Sequence, residues 1–440
     1  MKNLIRKIVT VIKNSILIFI FVFLLLFFNR VFSFLTIDDS NELTRLTLHE
    51  LYNQKSNIDM LFLGSSHCMR TFDPNLGDQL LQENTFNAGT SAQFLDGSFA
   101  LLKEAEKTNQ IKEVWVELYY GQLGRYNKDR TELTSTYIIS DYMKTSCNKI
   151  DYLLGASTPD YYANSFIPAR RNWHNLFMQG FLAQLFIHKT SESYKNYLYI
   201  DSYGGKGFIT SNYAVPKGTY SYLNNFWPVS KLTSDDDKYL SAMILYAKKH
   251  NIKIHFFSAP MSDFRLVSLG NYDDYVNEIK TYLEKHNCDY YDLNLCKPEY
   301  LKLDESDFID DNHLNTIGAN SVTQLLCKII KKDVDYDQVF YKTYAQKISN
   351  QENINYGIQL IPNKTGDVTS FTIKNVSHGT FKLKYYIGNI VDGSSNETVI
   401  QEQSDNNIFS ISNKKGTLHI IAYDEAGNVL NEARQIYAYE

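Results

Sequence analysis

An α/β fold, doubly wound around a mostly parallel five-stranded sheet with a helical insertion and a C-terminal β-sandwich, is predicted by three features of the chain. From Ile58 onward, short apolar runs alternate with amphipathic helical stretches, the pattern of a parallel sheet flanked by helices. Between Gly121 and Ser230 a long Tyr- and Asn-rich segment interrupts that alternation. After Asp333 the texture changes to alternating strand-like runs with turns at Asp392-Gly393 and Gly427-Asn428. A chain of 440 residues is too long for one small core and accommodates two or three folded units.

The expected sheet strands are residues 58–64, 85–88, 113–119, 253–258 and 289–293, with helices at 93–107, 234–250, 272–286 and 316–331. The second of these helices opens on Asp235-Asp236-Asp237 and closes on Lys248-Lys249-His250, charges that complement the helix dipole at both ends. The sheet domain is placed at 57–335, with the insertion at 121–230. An insertion that follows the carboxyl end of a strand falls on the ligand side of such a sheet, so it is expected to wall the substrate cleft, with a helical cap free of ligand as the alternative. Residues 345–440, with strands at 370–374, 380–387 and 417–423, form the sandwich. Its expected job is packing or spacing, with glycan binding as the alternative.

Ahead of these units, sixteen residues between Lys13 and Arg30 carry no charge, and apolar character resumes from Val31 to Ile37. Residues 14–37 as a helix cover about 36 Å, enough to cross a bilayer, with Arg30 near one end where it reaches the headgroups. Lys2, Arg6, Lys7 and Lys13 precede the segment, and Asp38, Asp39 and Glu42 follow it, which predicts a cytoplasmic N-terminus at 1–13 and an extracytoplasmic remainder. No small-x-small cleavage site follows, so a retained single-pass anchor is expected rather than a cleaved signal peptide.

Lys and Arg number 44 against 49 Asp and Glu, a net charge of −5 that gives no electrostatic footprint for nucleic acid. The five cysteines include no C-x-x-C pair, which argues against structural zinc, and neither a metal nor another cofactor is expected. Tyr is abundant at 33 residues, which suits stacking on sugars as well as ordinary packing.

Two pieces of sequence carry chemistry. The first strand stops at Gly64-Ser65-Ser66-His67, where a hydroxyl at the carboxyl end of a central strand faces the cleft and nearby amides meet a developing oxyanion. Far downstream, Asp310-Asp311-Asn312-His313 opens the last helix, and Asp three residues before His lets a carboxylate orient an imidazole whose other nitrogen faces a serine. Together they predict an acyl-handling site of Ser66, His313 and Asp310. His67 is a candidate substrate contact or a support behind the site, and Arg70, Arg170 and Arg171 are candidate contacts for acidic sugars or phosphates, against solvated or structural salt-bridge roles for each arginine.

Over roughly residues 57–331 the chain resembles the SGNH (GDSL-like) hydrolase superfamily. Ser66 stands in its first block, with Ser65 replacing the usual Asp of Gly-Asp-Ser; Gly89 of Phe86-Asn87-Ala88-Gly89-Thr90 stands in its second; Asp310 and His313 match the Asp-x-x-His of its last. The resemblance implies that Ser66 attacks an acyl carbonyl, His313 takes its proton, Asp310 holds His313, and the Ser66 and Gly89 amides form the oxyanion hole. The third block's Gly-x-Asn-Asp is missing and Val116-Glu117-Leu118-Tyr119-Tyr120-Gly121 takes its place, so Tyr119 or Tyr120 is a candidate replacement donor, with inward packing as the alternative. Gly-Ser-Ser-His, Asp-x-x-His-Leu-Asn-x-x-Gly-Ala and the single anchor look most like the membrane-tethered branch that includes the alginate O-acetyltransferases and the DltD proteins of teichoic-acid D-alanylation. That likeness implies transfer of an acetyl or similar group to a cell-wall or exported polysaccharide or to teichoic acid, beside a membrane-bound O-acyltransferase that supplies it. A carbohydrate esterase, a DltD-like factor and a non-catalytic glycan-binding protein are the alternatives.

Overall fold

The structure, a computed structural model, describes residues 2–37, 39–123, 133–200, 202–216, 221–222, 231–350, 353–365, 368–412 and 415–438. Asp38 and parts of the predicted insertion lie outside the described residues.

Five strands form one wholly parallel sheet: β1 (Met60–Leu63), β2 (Thr85–Asn87), β3 (Glu113–Glu117), β4 (Lys253–Ser258) and β5 (Asp289–Asp292), in the order β2-β1-β3-β4-β5. The sequence pattern follows from this topology, because central parallel strands are covered on both faces and read as continuous apolar runs. Met60, Leu61, Phe62 and Leu63 are all buried, and Phe62 stacks on Phe72 with ring centroids 3.7 Å apart. Each such ring contributes about 2 kcal/mol through apolar area withdrawn from water.

The helices are α1 (Lys2–Thr36), α2 (Glu42–Tyr52), α3 (Pro74–Leu81), α4 (Leu95–Glu106), α5 (Ser234–His250), α6 (Asp263–Leu269), α7 (Tyr272–Lys285) and α8 (Thr316–Ile330), with the insertion's own helices named below by range. α3 packs on α8 and α4 on α5. Right-handed crossovers account for those pairs: the chain leaves β1 in one direction and β2 in the other, which sends α3 and α4 to opposite faces. The strand order therefore reverses between β1 and β3, and the crevice beyond their carboxyl ends is where this topology seats a ligand.

Four strands end one or two residues before the sequence pattern suggests, since Gly64, Ala88, Leu118 and Leu293 already turn out of the sheet. Gly64 is required at the first of these exits. A Cβ there would lie 2.5 Å from both Glu117 Cβ and Glu117 Oε2 and 2.8 Å from Cys68 Cβ. α2, α3 and α6 are additions to the predicted set. α3 is short and holds a glycine, but Asp73 caps it by accepting from the Asn75 amide, with Pro74 in its first turn.

α1 is continuous from Lys2 and exposes large apolar side chains from Ile8 to Phe34; Arg6–Thr36 is long and apolar enough to cross a membrane. The insertion divides. Helix Cys147–Ala156 packs on α4, where Asn148 Nδ2 donates to the Ala100 carbonyl at 2.9 Å. Residues 166–177 lie against α1, and Lys189 reaches the Phe34 carbonyl of the same helix. Residues 203–216 return to the sheet domain: the Asn87 amide donates to the Lys206 carbonyl at 3.0 Å, and the Val215 amide to Phe308 at 2.9 Å. Gly207, at φ +79°, lies so close to this edge that a Cβ would overlap the Asn87 carbonyl.

The C-terminal unit is two packed four-stranded sheets. One holds β6 (Ile354–Thr365), β7 (Val368–His378) and β10 (Ile408–Ile411), with Ser221–Tyr222 pairing parallel to β6; the other holds β8 (Lys384–Val391), β9 (Glu397–Ser404), β11 (Lys415–Tyr423) and β12 (Val429–Ala438). Pairing is otherwise antiparallel. Ile358, Leu360, Phe371 and Ile373 from the first sheet and Ile387, Leu418, Ile420 and Tyr437 from the second share one core. Tyr356 and Val376 rest on Phe264 of α6, which joins the sandwich to the sheet domain.

Candidate active site

β1 delivers Ser66 to the switch point. Beyond Gly64 the chain enters a tight helical turn in which the Met69 amide donates to the Ser65 carbonyl at 3.2 Å, and Ser66 is the half-buried residue of an otherwise buried stretch, residues 60–69. The loop that precedes α8 delivers the imidazole. Its backbone is pinned by Asp310, whose Oδ1 accepts from the amides of Asn312 and His313, each at 2.8 Å, and by Asn315, which caps α8 through the Ile317 and Gly318 amides. From the other side, buried Arg265 of α6 donates through Nε to Asn312 Oδ1 at 2.7 Å and pairs with Asp311 at 3.2 Å.

Ser66 Oγ and His313 Nε2 are 2.8 Å apart, and His313 Nδ1 lies 2.8 Å from Asp310 Oδ2 and 3.0 Å from Oδ1. Burial alone would raise the Asp310 pKa, but the hydrogen bond and charge of His313, with the two loop amides, outweigh it and hold the carboxyl at about 2. An ionised carboxylate only accepts, so Nδ1 carries the proton, Nε2 has a free lone pair, and the Ser66 hydroxyl donates to it. The arrangement thus has a hydroxyl, a base able to take its proton, and a carboxylate that fixes the base's tautomer.

His67 is buried, contrary to the expectation that it meets substrate. Its ring stacks on His313 at 4.4 Å and on Tyr119 at 3.8 Å between centroids. Burial lowers its pKa well below the ordinary value, and repulsion from His313 adds to this, so it packs as a neutral ring. Tyr119 is the outer member of this three-ring stack. Arg70, half-buried, lies in the field of Asp310, which opposes the lowering of its pKa by burial.

Gly89 departs from its expected part. Its amide is buried and donates to Asn87 Oδ1 at 3.0 Å, while Asn87 Nδ2 reaches the carbonyls of Cys68 at 2.8 Å and Phe72 at 3.0 Å. The donor assigned to an oxyanion hole is therefore already engaged, because a side-chain amide two residues earlier ties the Ser66 turn to β2. Gly89 is needed for another reason: a Cβ would stand 2.8 Å from the Met69 amide nitrogen. Arg170 and Arg171 lie on helix Pro168–Arg171, which packs on α1. Arg171 is held by Asp141 at 2.5 Å and covers the Tyr137 ring, so its bonds serve the insertion rather than the Ser66 cluster. Among the described residues, no group of three or more His, Cys, Asp or Glu side chains is placed to hold a metal ion.

Sequence reasoning passed over Glu117, the last residue of β3, which is buried behind the Ser66 turn. Its Oε2 accepts the Ser65 amide at 2.7 Å, and Ser65 Oγ in turn accepts the His67 amide at 3.2 Å. Burial, which outweighs the Ser65 hydrogen bonds, lifts the Glu117 carboxyl from 4.5 to about 7. A folded-state value above the unfolded one means that this group stabilises the fold in full below about pH 4.5, and that the contribution is lost as pH rises through 7. Glu117→Gln keeps an acceptor for Ser65 and removes the titration. The unfolding free energy from urea curves should therefore fall by about 3 kcal/mol less between pH 4.5 and pH 8 in E117Q than in the parent. Asp292, raised by burial to about 6, acts in the same direction in both proteins and cancels in the comparison.

Fold and site together define a class: a doubly wound α/β protein with a hydrogen-bonded Ser–His–Asp relay at its switch point. No family model matches the chain, and no curated protein matches its sequence.

Proposed function

We propose that the chain is a membrane-anchored extracytoplasmic acyltransferase of the SGNH (GDSL-like) kind, which carries an acetyl or similar group on Ser66 to a hydroxyl of a cell-wall or exported polysaccharide. The observation that carries this reading is the continuous run of hydrogen bonds from Ser66 Oγ through His313 to Asp310. In the first half-reaction Ser66 Oγ attacks the acyl carbonyl, its proton passes to His313 Nε2, and His313 then returns that proton to the departing group. In the second, the acceptor hydroxyl loses its proton to His313, attacks the Ser66 ester, and releases Ser66 with its proton restored. An oxyanion formed there competes with Asn87 for the Gly89 amide, so the Ser66 amide carries more of the charge than in a site with three free donors. α1 keeps the site beside a membrane-bound O-acyltransferase that provides the acyl group. A teichoic acid is a second acceptor of the same chemistry.

The test is an assay of the full-length chain in detergent on a chromogenic acetyl ester, with and without polysaccharide and teichoic-acid acceptors. Ester appearing on the acceptor in a Ser66-dependent manner supports transfer. Free acetate alone makes the chain an esterase, and absence of Ser66-dependent turnover of either kind leaves a glycan-binding protein.

A further inference from the structure

We propose that residues 167–187 form a second membrane-seated element, a collar that sinks an apolar face into the lipid interface beside α1. The proposal rests on α1 as a membrane span. Three side-chain bonds fix the collar's height on that helix: Asn29 Nδ2 donates to the Phe166 carbonyl at 3.2 Å, Lys189 Nζ to the Phe34 carbonyl at 2.5 Å, and Asn175 Nδ2 to the Thr36 carbonyl at 3.0 Å. These grips run along α1 from Asn29 to Thr36, about 10 Å of its length.

That stretch coincides with the edge of the hydrocarbon. The uncharged residues 14–29 supply about 24 Å of helix, whereas a bilayer core of about 30 Å needs about four residues more, and these, 30–33, lie between the grips at Asn29 and Phe34. At this level the collar exposes large apolar side chains, with His174, Gln179 and Gln184 as its exposed polar ones besides Arg170. Trp173, Phe177, Met178, Phe186 and Ile187 are 57–78 % exposed, and Leu182 joins them. Helix Phe181–Thr190 buries only Leu185 and Lys189. So large an apolar patch is foreign to a water-facing surface.

Charge makes the same point. No carboxylate occurs between Asp160 and Glu192, and of the three cations there Lys189 is buried against Asp39 at 3.2 Å and Arg171 is paired with Asp141. Arg170 and Trp173 are both exposed, and they are residue types that favour the headgroup layer. Exposed large apolar side chains, an exposed Trp and Arg and a fixed position at the end of a span are the properties of an interfacial element.

The full-length chain is reconstituted in phosphatidylcholine vesicles with no other protein, and Trp emission is quenched with lipids that carry a nitroxide high on the acyl chain. Of the three tryptophans, Trp115 is buried in the sheet domain and Trp227 is common to both proteins, so the difference between the parent and Trp173→Phe isolates the collar. At least half of the nitroxide-quenchable emission is expected to disappear in W173F. Equal quenching in the two proteins, or quenching of the Trp173 component by aqueous iodide, overturns the proposal. Protection from both quenchers does so as well, since a second copy would then cover the patch. Flotation after a carbonate wash separates the two levels: a chain that floats without Trp173 quenching keeps the span and loses the collar, and a chain that fails to float loses both.

Discussion

Ser66→Ala is expected to lower Ser66-dependent ester turnover by about 10⁴-fold or more, to the level set by binding and the remaining amide donors alone. The substitution removes the atom on which the acyl group rests, so no acyl-protein adduct should accumulate when the variant is mixed with a chromogenic ester and examined by intact mass. Stability should be nearly unchanged, because Ser66 is half-buried and its one side-chain bond, at 2.8 Å, goes to His313. A variant that keeps parental turnover would move the nucleophile elsewhere, and the proposed function would fall with it.

Asp310→Asn should cost nearly as much, about 10⁴-fold in turnover, through a different route. Asn retains an oxygen that accepts the Asn312 and His313 amides, so the loop should keep its shape. Its NH₂ group, however, occupies the place of Oδ2, 2.8 Å from His313 Nδ1, and a donor there shifts the ring proton to Nε2. The base then faces Ser66 with a hydrogen instead of a lone pair. The predicted signature is a loss in kcat/KM that raising the pH does not restore, with an unfolding midpoint close to the parent's at neutral pH. In the parent, the depressed Asp310 value means that its stabilising effect is present above about pH 4 and fades as pH falls toward 2. The variant should lack that acid-side decline, which equilibrium unfolding at pH 3 and pH 7 would measure.

The sheet was legible because burial on both faces leaves a mark that needs no tertiary knowledge, as in Met60-Leu61-Phe62-Leu63 and Val114-Trp115-Val116. The pairing of Ser66 with His313 was legible because its residue types and loop positions follow from chemistry. The bond from the Gly89 amide to Asn87, two residues earlier, was not foreseen; an Asn just before a Gly turn was the available signal. Glu117 was passed over although a lone acid closing an apolar run is unusual, and such a residue is either a strand end in solvent or a buried carboxyl. His67 was a candidate substrate contact because it follows Ser66 directly, but the chain past Gly64 has already entered a helical turn, and the ring is buried there. The insertion offered no periodicity to tell a cleft wall from a collar, but its long interval without carboxylates was visible throughout.

Ser66 and His313 are separated by 247 positions. At ordinary rates of translation the hydroxyl emerges roughly 12–50 s before the ring that activates it. Through that interval the nascent polypeptide holds Ser66 without the His313 ring that meets its hydroxyl in the folded chain. The Ser66–His313 pair therefore cannot form until His313 is made, with 127 of the 440 residues still to follow, and under the proposed function products terminated before that point would lack the base.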